Sequence, residues 1–98
     1  MFCIFSSVRY SNPKLMHVGH QHMAQTFDPK QLKGFLELQT FHISPDKGLG
    51  IFTFDNQENM QKSLPNLKAF NKDYEDRFSC KITVDTGIVN PELSYKAQ

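Results

Sequence analysis

Three histidines stand close together near the start of the chain, at His17, His20 and His22. Imidazole titrates near neutrality and ligates metals, so such a group could move protons or hold an ion. His17 and His20 are three residues apart and share a face if the segment is helical. A zinc-type site also needs carboxylate or cysteine ligands and a supporting second layer of partners. No acidic residue lies between Asn12 and Phe27, so no metal site is predicted here. His42 is the fourth histidine, on a segment with strand character. Tyr74 carries a hydroxyl that needs a partner if it is buried. A His–Tyr pair at hydrogen-bond range does general acid–base work. The plain alternative is a core tyrosine and an interface histidine.

The elements that must position these groups read as follows. Phe2 to Tyr10 is aromatic and β-branched, a buried strand. Asn12-Pro13 starts a helix, with Asn as the cap and Pro at the first position. Met16, His20, Met23 and Phe27 follow at helical spacing, and Leu15 and Val18 widen the stripe. His20 therefore points at the sheet, either to bond a backbone carbonyl or to line an apolar pocket. Gly34 precedes a second strand, Phe35 to Ser44. Alternation puts Leu36, Leu38, Thr40 and His42 on one face and Phe35, Glu37, Gln39, Phe41 and Ile43 on the other. Whether His42 faces helices or an interface stays open.

Pro45-Asp46-Lys47-Gly48 is a turn in which Pro fixes φ and Gly is expected to supply a positive φ. Leu49 to Phe54 is a third strand. Asp55 to Glu58 has helix-entry spacing with Asp as capping acceptor. The second helix is predicted to reach about Phe78 along Met60, Leu64, Leu67, Phe70, Tyr74 and Phe78, with Pro65 causing a kink or break near Leu64. Lys81 to Val89 is the fourth strand. The order is βαββαβ. Right-handed crossovers then put two helices on one face of a four-stranded antiparallel sheet, a ferredoxin-like α+β sandwich. Residues 1–98 read as one domain, with 90–98 a C-terminal tail.

Eleven basic and ten acidic residues leave a formal charge of +1, not the basic field that nucleic-acid binding uses. No stretch approaches the roughly 20 apolar residues of a membrane span, and no targeting segment is visible. Nine Phe and four Met with no Trp read as a core, either plainly filled or enclosing an apolar cavity. Cys3 and Cys80 begin neighbouring antiparallel strands at opposite ends, roughly 25 Å apart. That exceeds the roughly 7 Å that a disulfide spans. Reduced, buried thiols in a cytoplasmic protein are expected. The chain has neither phosphate loop nor nucleophile elbow.

The pattern resembles the dimeric α+β barrel superfamily, which includes antibiotic-biosynthesis-monooxygenase-like and stress-responsive barrel domains. Its carriers are Lys33-Gly34-Phe35 entering the second strand, Gly48 to Phe54 as the third, and Asp55-Asn56-Gln57-Glu58 opening the second helix. The resemblance spans Phe2 to about Val89. It implies a homodimer built through the bare sheet face, and a pocket between sheet and helices. Combined with the density of Phe and Met on the inner faces, it leads us to expect an apolar ligand, fatty-acyl or polyketide-like, with Met16, His20, Met23, Phe27, Phe52, Phe54 and Tyr74 as candidate lining residues. The competing implication is a cofactor-independent monooxygenase or cyclase. Haem-degrading and some oxygenase members rely on a Trp, which this chain lacks. No cofactor is expected, and whether the protein is an enzyme stays open.

Lys47 to Phe54 also resembles the RNA-recognition-motif signature at Lys47, Gly48, Gly50 and Phe54. Leu49 and Ile51 stand where that signature has base-stacking aromatics. No nucleic-acid partner is therefore expected, and RNA binding of this kind stands only as a second alternative function.

Overall fold

The computed structural model describes residues 1–97. Its elements are β1 (Phe2–Tyr10), α1 (Pro13–Thr26), β2 (Phe35–Ser44), β3 (Lys47–Phe54), α2 (Gln57–Phe78) and β4 (Cys80–Ile88). Single 3-10 turns cover Pro29–Gln31 and Pro91–Leu93. The four strands form one antiparallel sheet in the order β2-β3-β1-β4. Both helices pack on one face, giving the ferredoxin-like sandwich that the element order implies.

Local chemistry explains the helix ends. The Asn12 side chain accepts the Leu15 N–H at 3.0 Å, and Pro13 follows at the first position. The second helix departs from expectation at its start. Asn56, not Asp55, is its cap and accepts the Asn59 N–H at 2.8 Å. Asp55 instead accepts from the Asn59 side chain at 2.8 Å.

No break occurs at Pro65, and α2 runs continuously from Gln57 to Phe78. Pro65 is exposed, so the carbonyl that it frees one turn earlier faces solvent. The helix ends at Ser79, whose left-handed φ of 48° turns the chain into β4.

Two further corrections concern the β2–β3 hairpin. The loop is only Pro45–Asp46, and Gly48 lies inside β3 without a positive φ. Proline at the first loop position excludes the primed turns that match strand twist. A register shift between His42 and Ser44 takes up the mismatch. The positive φ belongs to Gly34, at 74°, where a Cβ would collide with Asp55 and Asn59.

A second shift lies between Phe35 and Glu37. It turns Leu36 outward, 56% exposed, and brings Phe35 to the helix side against Phe27 and Phe54. Unbroken alternation had placed Phe35 on the opposite face.

The interior is in two parts. Ile4, Leu32, Phe52, Phe54, Met60 and Leu67 form one cluster. Tyr10, Met16, Tyr74, Phe78 and Cys80 form the other. Cys3 and Cys80 are both buried and free, at opposite ends of the β1–β4 pair. No helix among the described residues is long and apolar enough to cross a membrane.

Candidate functional site

A row of small side chains separates the two clusters. Thr40, Gly50 and Ser6 are paired in register across β2, β3 and β1. They share the helix-facing side with Ile4, Phe52 and Leu38, one row along. The next row in the other direction holds Gly48 between His42 and Val8. Two alternate glycines on one strand leave the space beneath the helices unfilled. A Cβ built on Gly50 would sit 3.7 Å from Leu38 and 3.8 Å from Phe52, at ordinary contact distance.

The result is a cleft of about 320 Å³ between both helices and the sheet. Its helix-side walls are His20, Met23 and Ala24 from α1, Phe27 just past the end of α1, and Phe70, Asn71 and Tyr74 from α2. The floor includes Ser6, Val8, Tyr10, Leu38, Thr40, Gly48, Gly50, Phe52 and Ile82. Most of this surface is apolar, with hydroxyl, amide and imidazole groups at intervals.

Of the residues expected to line a pocket, His20, Met23, Phe27, Phe52 and Tyr74 are brought together around this cleft. Met16 is set apart. It is buried, and it borders an adjoining surface groove with His17, His20 and His42. Phe54 is fully buried in the first core cluster and is not part of the lining. His20 is common to cleft and groove.

The second tyrosine, Tyr10, escaped the sequence reading. Its hydroxyl lies 2.6 Å from that of Tyr74. Counting in twos from Ile4 along β1 reaches Tyr10 on the helix-facing side, which was the available signal. Burial holds the Tyr10 phenol well above its ordinary range, with the bond to Tyr74 adding to the rise. Burial also raises Tyr74, although the same bond offsets part of it. Both hydroxyls are protonated at neutral pH.

His20 is half-buried, its ring edge-on to Tyr10 at 6.0 Å and tilted against His42 at 5.4 Å. His42 thus faces the helices. Burial lowers the His20 pKa, and the charges of His42 and His17 lower it further. Its imidazole is neutral at neutral pH and able to accept a proton. His22 turns away and packs on Phe78 at 5.2 Å. No group of three metal-ligating side chains converges among the described residues.

No family model matches the sequence, and no curated protein matches it. Solved structures do. A dimeric ferredoxin-like protein from an uncultured marine organism has a TM-score of 0.76 at 16% identity, over 100% of both chains. An antibiotic-biosynthesis-monooxygenase-like protein from Deinococcus radiodurans scores 0.71 at 16% identity, over 99% of this chain and 100% of that one. A Streptomyces coelicolor monooxygenase in complex with nanaomycin D scores 0.65 at 11% identity, over 92% of this chain and 91% of that one. At such identities likeness speaks for architecture alone. On that ground the chain has the ferredoxin-like fold that these structures share.

Proposed function

We propose that the chain acts as one ferredoxin-like domain that binds an apolar small molecule with one polar end. The ligand is of fatty-acyl or polyketide-like type, and no cofactor takes part. The Thr40–Gly50–Ser6 row carries this reading, because it opens an apolar interior space that core packing normally fills. The cleft volume lies at the lower end of the range for small-molecule sites. Met23, Phe27 and Phe52 supply its apolar walls, and His20, Tyr10 and Tyr74 its polar end.

The assembly that goes with this is a homodimer through the bare sheet face. Phe5, Leu49, Ile51 and Phe41 alternate to the other side of the sheet from the Thr40–Gly50–Ser6 row and form cross-strand neighbours there, Leu49 and Phe41 also bordering the cleft. Phe41 is 43% exposed, and contiguous exposed apolar surface marks a site of association. The same face weakens the RNA reading, since Leu49 and Ile51 offer aliphatic side chains where stacking needs rings. Two buried free thiols suit a reducing cytoplasm.

A second reading is a cofactor-independent monooxygenase or cyclase acting on such a compound. The favouring observation is a neutral His20 beside two protonated tyrosines, a proton acceptor next to proton donors. It predicts turnover of a polyketide-like phenol that disappears in His20→Ala or His42→Ala. A binding protein shows altered affinity and no turnover.

Native mass spectrometry of freshly purified protein, with ligand release in the gas phase, tests the main reading. A dimer carrying an apolar adduct supports both halves of it. A bare dimer supports the assembly and counts against a resident ligand. A monomer overturns pairing through the sheet.

A further inference from the structure

The two tyrosines leave a hydrogen-bond count that does not close within the protein. Each phenol has one proton to donate and lone pairs to accept. The 2.6 Å contact between Tyr10 and Tyr74 uses one of the two protons. Neither hydroxyl has a further hydrogen-bond partner among the described residues. Both residues are buried, at 3% and 4% exposure, and both border the cleft. One donor proton is therefore left without a partner among the described residues, on side chains that border the cleft. Its O–H is polarised by the bond that its oxygen shares with the other phenol, in a site of low dielectric.

Charge supplies the second observation. No Lys, Arg, Asp or Glu is among the described residues that line the cleft. The one lining group that titrates near neutrality, His20, is held neutral by burial and by His42 and His17. A carboxylate entering here would lose its hydration and meet no countercharge. A neutral carbonyl needs one donor and finds one.

We propose that the Tyr10–Tyr74 hydroxyl pair is a recognition site for a neutral carbonyl oxygen, and that the cleft discriminates against free carboxylates. The ligand class is then ketone, quinone, ester or thioester. Among fatty-acyl compounds the esterified forms are bound and the free acids are not. This rests on the cleft being a binding site and narrows what that site takes.

Three naphthalenes substituted at the same ring carbon test it by titration calorimetry: acetylnaphthalene, naphthoate and ethylnaphthalene. The proteins are the unaltered chain, the double variant Tyr10→Phe/Tyr74→Phe, and Gly50→Val. Replacing both partners of one hydrogen bond by rings of the same shape leaves no orphaned polar group, so the double variant keeps its fold. The unaltered chain is expected to bind acetylnaphthalene at least about fivefold more tightly than naphthoate. The double variant is expected to lose about fivefold to tenfold for acetylnaphthalene and nothing for ethylnaphthalene. The infrared carbonyl stretch of bound acetylnaphthalene should move back toward its value in an apolar solvent.

Equal binding of naphthoate, or equal losses for the ketone and the hydrocarbon, overturns the assignment while leaving the cleft as a site. Gly50→Val separates the two failures, because its side chain projects into the cleft. If no probe binds the unaltered chain, or if Gly50→Val changes none of the affinities, the cleft is not the site and the assignment falls with it.

Discussion

Gly19 on α1 lies directly beneath the Tyr74 hydroxyl of α2, so that a Cβ at position 19 would collide with it. The same Cβ would stand 3.1 Å from the ring carbon that bears this hydroxyl and 3.2 Å from the Tyr10 ring. The missing side chain is what admits the tyrosine pair. Gly19→Ala gains helix propensity of about 1 kcal/mol, but overpacking costs about 1–3 kcal/mol. The expected net result in urea denaturation is a loss of stability. That loss should shrink in a Tyr74→Phe background, because the hydroxyl is the nearest clashing atom. Strict additivity of the two substitutions would rule out the contact as the cause.

Gly48 and Gly50 should behave in the opposite way. Neither has a positive φ, and a Cβ at either meets nothing nearer than 3.5 Å. Gly48→Ala and Gly50→Ala are each expected to raise stability by about 0.4–1 kcal/mol, chiefly by restricting the unfolded chain. Chemical denaturation reads this out. A loss at either position would mean that the space above β3 is already filled.

The pH dependence follows from His20. Unfolded, it takes up its proton near the ordinary value of about 6.5. Folded, it does so only at lower pH, because of burial and then the charges of His42 and His17. Between those values the unfolded chain binds more protons, so stability falls as pH drops through the ordinary histidine range. The urea midpoint should decrease between about pH 7.5 and about pH 5.5, and His20→Gln should flatten part of that slope. An unchanged slope in the variant would assign the effect to other groups.

Pairing through the sheet is open to a direct test. Phe41 is exposed on β2 beside Leu49, outside both core clusters. Phe41→Lys should leave the helical circular dichroism unchanged and reduce the particle mass by half in light scattering after size exclusion. A variant that keeps the dimer mass would place the contact elsewhere.

Much of this architecture is legible in the sequence, because its signals are local. The Asn12-Pro13 cap, the Met16–His20–Met23–Phe27 stripe and the Tyr74 face need only helical periodicity. The errors arise where a local rule meets tertiary pairing. Alternation along β2 fails at Leu36, since the register shift there is a property of the β2–β3 pairing and is invisible in β2 alone. Gly48 resembles a turn glycine until its pairing with Val8 and His42 makes it part of the cleft floor. The Thr40–Gly50–Ser6 row lies on three separate strands, so only the register assembles it.

That row also has a mechanical meaning. A protein interior usually transmits force because its side chains interlock without a seam. Here the seam runs across the middle of the sheet, and the tightly packed ends are joined mainly by backbone and by Met23, which touches both clusters. Amide protons of β3 near Gly50 should then exchange faster than those near Phe54, although both lie on a central strand. A molecule seated over Gly50 would act as the missing keystone, and its departure would soften the fold along that one line.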